Sequence, residues 1–352
     1  MHLLKTGLLL ATLFSLLAAG QPLEPVPCVT EGAWSASLPV TTIHVALYDS
    51  ISPSVLQVEE ALTYVWETPH ARYEMSVDMI GRPEVTGGRL TGGGYDVFVI
   101  GASGRQYFHG ITQQWKNEVA TFIEKGGGYV GICGGANVVS LGFEEPRAAL
   151  DFVINQAALK IVNVYINDQQ EQEWQYLWKD TGEDHIPPAT WIDVSFAVFS
   201  GHTSDRRPMV YGGGPGMYPG DAQGLAPVQP IAVYLEEPMQ VAPLHYYRPA
   251  LPSWTIWKNV TTDIRGQWAG VQTSYGAGRM VLFGNHPEIP PMLNGSIREF
   301  FGPSIYGIPR MVYEWQGGDQ LPLDYNWWII RRSAAWTAGT PEAELPPVMY
   351  NE

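Results

Sequence analysis

The chain has 352 residues, of which 45% are hydrophobic and 16% charged, and its formal net charge is −15. This length and composition are typical of a globular protein with one large domain or two small ones. The acidic charge and the lack of Lys and Arg clusters argue against nucleic acid as a partner, because phosphate binding requires clustered positive charge.

The first 20 residues have the pattern of a secretory signal peptide. A short basic start precedes an apolar run over residues 7–17, and small side chains at 18–20 resemble a cleavage site. The run is short for a membrane span, so we expect export to an extracellular or periplasm-like compartment, with no membrane attachment after cleavage. An uncleaved anchor is the alternative. Residues 21–40 form a proline-containing leader.

Residues 41–132 alternate between apolar runs and amphipathic segments. The apolar runs predict buried strands at 42–48, 73–80 and 95–100 and a fourth just before residue 133. Helical spacing predicts helices at 53–67 and 112–125, and glycines predict a turn at 87–94. This order is typical of a doubly wound α/β sheet, in which sites lie at the carboxyl ends of the strands.

The fourth strand ends in Cys133, which is flanked by Gly131, Gly134 and Gly135. A nucleophile elbow requires such small neighbours, because its reactive side chain sits on a sharp turn between a strand and a helix. The following helix start points backbone N–H groups at the sulfur. The alternative is an ordinary glycine-rich turn with a buried, unreactive cysteine.

The region from about 151 to 270 is interpreted as insertions around the sheet, not as a second domain. Apolar runs predict strands at 158–166, 191–199 and 230–235. The glycine run 212–216, which contains Gly213 and follows Tyr211, is placed near the cleft. Asp184, His185 and His202 have no standard metal-ligand spacing, so no metal or other cofactor is expected.

A later apolar strand, at 278–284, ends in His286-Pro287-Glu288. A cysteine nucleophile needs a base, and that base needs an orienting carboxylate. If this strand is a parallel neighbour of the elbow strand, both side chains can face Cys133. The sequence therefore predicts a catalytic set of Cys133, His286 and Glu288.

The loop 101–104 also ends a strand at this sheet edge. Its backbone, with that of Gly134, is a candidate oxyanion hole, and we assign Gly101, Ala102, Gly104 and Arg105 to oxyanion or substrate binding. Tyr107 and His109 are further rim candidates. Residues 325–336 predict a C-terminal helix, and 341–352 an acidic, disordered tail.

These motifs resemble the class I glutamine amidotransferase-like superfamily, and most closely its branch similar to the N-terminal domain of biotin–protein ligase. The resemblance is carried by residues 101–107, 131–136 and 211–218 and covers about 41–310 in patches. It implies an α/β three-layer sandwich with a mostly parallel, flavodoxin-like sheet and a large insertion. Residues 311–352 would add a C-terminal helix and tail.

Two departures concern the substrate. Asn137 stands where glutamine amidotransferases usually carry Gln or Glu, and the loop 101–104 replaces their Pro-Gly-Gly. The chain carries no synthase to receive ammonia, and no synthase partner is indicated. The resemblance therefore implies a stand-alone hydrolase that cleaves an amide or γ-glutamyl bond of a small molecule or peptide through a thioester.

Two other functions remain open from the sequence. One is a binding or sensor module that kept the elbow without turnover, and the other is a cysteine peptidase of the related intracellular-protease branch. That branch often has His directly after Cys, where this chain has Gly134. Cys28 is the other cysteine, and a disulfide to Cys133 is the alternative to the free thiol that we favour.

Overall fold

The computed structural model describes residues 38–50, 52–147, 149–167, 189–194, 205–241, 245–251, 253–259, 261–293, 296–302, 310–316 and 318–348. The chain divides into the units Met1–Pro39 and Val40–Glu352, and every element below belongs to the second. Within the described ranges, no helix combines the length and apolar character that a membrane crossing requires.

Strands and helices alternate in the first half of this unit, and strands predominate afterwards. The strands are β1 Val40–Tyr48, β2 Val65–Glu67, β3 Arg72–Ile80, β4 Val97–Ile100, β5 Gly128–Ile132, β6 Val164–Asn167, β7 Ala189–Val194, β8 Asp205–Val210, β9 Gly216–Pro219, β10 Gln229–Tyr234, β11 His245–Ala250, β12 Ser253–Asn259, β13 Trp268–Tyr275, β14 Gly278–Phe283, β15 Met292–Leu293, β16 Ser296–Gly302, β17 Arg310–Gln316 and β18 Asp319–Gln320. The helices are α1 Pro53–Leu62, α2 Arg82–Thr86, α3 Arg89–Gly92, α4 Arg105–Gly110, α5 Gln113–Glu124, α6 Gly134–Val139, α7 Ala149–Ala157, α8 Pro238–Val241 and α9 Trp327–Thr337.

Twelve strands form one mixed sheet, which confirms the α/β class. Its main path runs β2-β3-β1-β4-β5-β14-β13-β10-β7-β8, and β6 and β9 attach beside β13. The run from β3 through β14 is parallel, as the sequence predicts for buried strands joined by helices. The remaining pairings are antiparallel. The described strands of region 151–270 that join this sheet are β6 to β10 and β13.

Alternate side chains of the parallel strands belong to two hydrophobic clusters. In β5, Val130 and Ile132 pack with α1 and α9, whereas Tyr129 packs with the cluster that includes α5 and α6. Because successive side chains of a strand point to opposite faces, the two clusters lie on opposite faces of the sheet. The site edge is thus supported by apolar packing on both faces.

Several predicted elements differ from the structure in their extent. Helix α1 ends at Leu62, and residues 65–67 form β2, because Trp66 stacks on Tyr73 of β3 with ring centroids 4.9 Å apart. The predicted turn 87–94 contains α3. The predicted strand 158–166 begins only at Val164, and the part of 191–199 beyond Val194 lies outside the described residues.

The predicted disordered tail is wrong for residues 341–348, which the structure places against the core. A 3-10 helix spans Glu342–Glu344, and Leu345 is buried among the residues of the α1 and α9 cluster. The indole N–H of Trp66 donates to the carbonyl oxygen of Glu344 at 2.9 Å, and the hydroxyl of Tyr73 donates to its carboxylate. These contacts tie the segment to β2 and β3.

Candidate functional site

Cys133 occupies a strained turn between β5 and α6. Its backbone angles are φ 52° and ψ −108°, a region that residues with a side chain rarely adopt. Such strain costs about 1–3 kcal/mol and is typically kept at functional sites. Cys133 is a free, partly exposed thiol, whereas the residues of α6 that follow it are buried.

The glycines beside Cys133 are required by close backbone contacts. A Cβ atom on Gly134 would lie 2.0 Å from the carbonyl oxygen of Ser103, and one on Gly135 would lie 2.1 Å from that of Ile100. Both partners belong to the end of β4 and the loop after it. The expected proximity of this loop to the elbow is therefore present, and only glycine permits it.

His286 and Glu288 lie just beyond β14, the parallel neighbour of β5, in which Phe283 pairs with Ile132. The amide of His286 donates to the carbonyl oxygen of Val210 at 2.9 Å, which fixes the backbone there. His286 Nδ1 and Glu288 Oε1 are 2.8 Å apart, and both side chains are buried. The carboxylate thus orients the imidazole.

The protonation of His286 depends on its neighbours. Burial is the largest influence and lowers the pKa, but the charges of Glu288 and Cys133 outweigh it and raise the pKa to about 10. Nε2 forms no well-aligned hydrogen bond with any described residue. A side-chain hydrogen bond with Cys133 is a further influence that raises the pKa, so the sulfur lies within reach of the ring.

Two further groups hold Glu288 in place. The hydroxyl of Ser54, in the first turn of α1, donates to Oε1 at 2.5 Å. The indole N–H of Trp327, the first residue of α9, donates to the Glu288 carbonyl oxygen at 3.0 Å. Both interactions span long sequence separations, so no local sequence pattern predicts them.

The glycine run after β8 covers Cys133 and His286. A Cβ on Gly212 would lie 2.7 Å from His286 Nε2, and one on Gly214 would lie 3.1 Å from Cys133 Sγ. Tyr234 lies nearby: burial, followed by the charge of Cys133, raises its pKa well above the usual value. The chain backbone thus approaches Cys133 Sγ and His286 Nε2 so closely that side chains at these glycines would collide with them.

The other sequence-predicted residues are distributed around this centre. Gly101 packs against α1, since a Cβ there would lie 3.2 Å from a methyl group of Val55, and Ala102 is buried. Gly104 is exposed and immediately precedes α4.

Arg105, Tyr211 and Gly213 take different positions. Arg105 lines a separate cavity beside β1 and β3. Tyr211 is fully buried edge-on against Tyr234, and Gly213 has a left-handed φ of 76° in the covering run.

Asn137, which distinguishes the chain from glutamine amidotransferases, is buried in α6. Its amide nitrogen donates to the hydroxyl of Tyr107 at 2.8 Å, and its carbonyl oxygen has no partner among the described residues. Tyr107 therefore contacts the elbow helix and is not a solvated rim residue. Cys28, Asp184, His185 and His202 lie outside the described residues.

A family model described as the N-terminal part of biotin–protein ligase matches residues 96–300, more than half of the chain. The match includes β4 and the loop after it, the elbow, the glycine run and the His286–Glu288 segment. The chain belongs to this biotin–protein ligase N-terminal family. It has the family's glutamine amidotransferase-like fold.

Several solved structures show distant similarity. A putative ThuA-like protein from Parabacteroides merdae is 11% identical, with 88% of this chain and 93% of that chain covered and a TM-score of 0.43. A cytoplasmic protein from Salmonella typhimurium LT2 is 12% identical, with 69% and 87% covered and a TM-score of 0.38. No curated protein matches.

A β-galactosidase from Bacillus circulans sp. alkalophilus is 9% identical, with a TM-score of 0.36. The similarity covers 69% of this chain but only 28% of the β-galactosidase chain.

Gly212→Ala is expected to displace the imidazole of His286. The new methyl group would lie 2.7 Å from Nε2, which is too close for a carbon–nitrogen contact, and a displacement of about 1 Å between interacting groups can lower a rate by about tenfold or more. We expect alkylation of Cys133 by iodoacetamide to slow by about that factor. Gly92→Ala, where a Cβ meets no atom within 4 Å, is the matched control, and equal rates in the two variants would contradict the placement.

The stability of the fold is expected to fall as the pH rises through the titration of His286. Its pKa is about 10 in the folded protein and about 6.5 without these neighbours. The folded state binds the His286 proton more tightly than the unfolded state does. The resulting contribution to the free energy of unfolding is therefore complete below pH 6.5 and is lost between pH 6.5 and 10. Denaturant titrations at pH 6, 8 and 10 should show that the free energy of unfolding falls with pH in the native sequence but not in His286→Gln. The same pH dependence in both proteins would refute the raised pKa of His286.

Proposed function

We propose that this chain is an exported cysteine hydrolase that cleaves an amide or γ-glutamyl-type bond. Cys133 is the nucleophile, His286 the acid and base, and Glu288 the residue that orients His286. Support for export comes from the signal-peptide pattern of residues 1–20. The two hydrophobic clusters on opposite faces of the sheet support the three-layer, flavodoxin-like arrangement that the resemblance implies.

The reaction begins with attack of the Cys133 sulfur on the carbonyl carbon. The resulting oxyanion is held by backbone N–H groups, for which Gly134 and the 101–104 loop are the candidates. At the start of a helix the first N–H groups have no helical acceptor, and here the first helical bonds come from Ala136 and Asn137.

Collapse of the tetrahedral intermediate breaks the carbon–nitrogen bond. His286 Nε2 gives its proton to the leaving amine, and a thioester on Cys133 remains. Water then attacks the thioester carbonyl while His286 takes its proton. The carboxylic acid leaves, and the sulfur and the imidazolium return to their starting states.

One observation carries the proposal: a buried His286–Glu288 pair, whose Nε2 has no well-aligned hydrogen bond among the described residues, lies close to a cysteine held at a positive φ. A structural histidine in a core normally has both ring nitrogens satisfied, because an unpaired buried polar group costs free energy. An inert cysteine has no need of a strained backbone.

The proposal is tested with L-glutamine and with γ-glutamyl-p-nitroanilide, by measuring released ammonia and p-nitroaniline. We expect turnover by the native sequence and none by Cys133→Ser, whose hydroxyl keeps the shape of the site. Equal product release by both proteins would contradict Cys133 as the nucleophile.

A binding module without turnover is the second candidate. It is favoured by the position of Gly214, whose backbone covers one side of the Cys133 sulfur and leaves less room for a substrate carbonyl. This candidate predicts that Cys133 is alkylated by iodoacetamide while neither amide substrate is hydrolysed.

A further inference from the structure

A second cavity lies on the same sheet edge, beside the carboxyl ends of β1 and β3. Its volume is about 420 Å³, which falls in the range of small-molecule sites. Asp49 follows β1, Arg82 and Glu84 follow β3, and Arg105 and His109 belong to α4. In sheets of this kind, ligands bind outside the carboxyl ends of the strands.

Two guanidinium groups in this cavity are unpaired. The side chains of Arg82 and Arg105 form no ion pair or hydrogen bond with any described residue. Both side chains nevertheless line the same cavity, together with His109. A guanidinium offers a planar fork of N–H donors that matches the two oxygens of a carboxylate or phosphate.

His109 adds a neutral ring that is hydrogen-bonded to Tyr48. Burial, and then the charges of Arg82 and Arg105, lower its pKa, so the ring is neutral at neutral pH. Burial raises the pKa of Tyr48, which therefore keeps its proton. The hydroxyl of fully buried Tyr48 is hydrogen-bonded to His109 Nδ1. In the tautomer in which Nδ1 accepts this bond, the ring proton is on Nε2 and can be donated to a ligand.

The two carboxylates of the cavity differ in their availability. The Glu84 side chain accepts from the backbone amide of Gly81 at 3.0 Å and is held at the wall. Asp49 is exposed and forms no side-chain ion pair with any described residue. Arg105 and His109 of α4 and Arg82 of α2 thus line one pre-formed cavity.

We propose that this cavity binds the oxyanion group of a small ligand, a carboxylate or a phosphate, through Arg82, Arg105 and His109. The site is separate from the glycine-covered centre at Cys133, although Arg105 follows the loop that contacts the elbow. Its occupancy is measured by binding and not by turnover, so the result does not depend on whether Cys133 reacts.

Isothermal titration with inorganic phosphate and with succinate, each at constant ionic strength, tests this site in the full chain. We expect saturable binding of at least one of them, and the tighter one identifies the ligand class. Arg82→Gln and Arg105→Gln should each weaken binding by about tenfold, because each removes charge-assisted hydrogen bonds.

Arg265→Gln is the matched control, since it removes one positive charge from an exposed arginine outside the cavity. Its affinity should equal that of the native sequence. Tyr48→Phe, which removes the hydrogen-bond partner of His109 Nδ1, should weaken binding without removing a charge. The absence of saturable binding by both anions, or equal affinities in Arg105→Gln and Arg265→Gln, would overturn the proposal.

Discussion

Replacing His286 by Ala is expected to slow the alkylation of Cys133 by iodoacetamide about 10- to 30-fold at pH 7. The reason is the charge of the imidazolium, which is present at this pH because Glu288 and Cys133 raise the pKa of His286 to about 10 in spite of burial. A thiol with the ordinary pKa of about 8.5 is only about 3% thiolate at pH 7, so a neighbouring positive charge that favours the thiolate can raise the reactive fraction by at most about 30-fold.

The measurement is the second-order rate constant of carboxymethylation, followed by intact mass in Cys28→Ser so that only one thiol reacts. His70→Ala is the matched control, because His70 is an exposed histidine in a turn. Glu288→Gln should give an intermediate rate, since the ring keeps its position but loses the charge that holds its proton. Equal rates in His70→Ala and His286→Ala would contradict the pairing.

Arg207→Met is expected to lower the free energy of unfolding by about 3–5 kcal/mol. Arg207 is only 1% exposed and joins β8 to the segment that begins α9. Its Nε donates to the side-chain oxygen of Asn326 at 3.1 Å, and one Nη donates to the carbonyl oxygen of Tyr325 at 2.9 Å. The guanidinium also lies 4.5 Å from the centre of the Tyr325 ring. Methionine fills the volume but leaves both oxygens unsatisfied.

Chemical denaturation measures this loss, with Arg147→Met as the control. Arg147 forms an exposed ion pair with Glu145 at 2.9 Å, which contributes at most about 1 kcal/mol. Loosening α9 should also slow Cys133 alkylation, because Trp327 of this helix holds the Glu288 carbonyl oxygen. A loss below 1 kcal/mol in Arg207→Met would show that the buried guanidinium is not a structural clamp.

The sequence was sufficient to predict the parallel half of the sheet and the residues that meet at its edge. Continuous apolar runs identify buried strands, and glycine on both sides of Cys133 identifies a turn that has no room for side chains. Because parallel strands end at one edge, Cys133 and His286 could be placed together before the order of the strands was known.

Interactions between distant segments were not predictable in the same way. Ser54 hydrogen-bonds to Glu288 across 234 positions, and no local pattern marks a serine in the first turn of a helix as a partner for that carboxylate. The sequence places Ser54 in the helix that follows β1, near the carboxyl end of that strand. It does not show that Ser54 hydrogen-bonds to Glu288. The need for glycine at position 212 was equally unpredictable, because its close approach to His286 exists only in the folded chain.

Local sequence patterns predicted the wrong structure where both a helix and a strand are compatible with them. The spacing of Val58, Leu62 and Val65 continues a helical repeat, but Trp66 gains more by stacking on Tyr73, so the chain becomes a strand there. Arg105 belongs to the predicted site loop, yet its side chain lines the neighbouring cavity. Position along the sequence fixes the loop to which a residue belongs but not the direction of its side chain.

The most direct test of the account is the covalent intermediate on Cys133. The protein is mixed with γ-glutamyl-p-nitroanilide, quenched in acid within the first turnover and digested, and the peptide containing Cys133 is analysed by mass spectrometry. The proposed mechanism predicts a γ-glutamyl thioester on Cys133 that accumulates when Glu288→Gln slows its hydrolysis and is absent from Cys133→Ser. Release of p-nitroaniline without any adduct on Cys133, or with the same rate in Cys133→Ser, would contradict it.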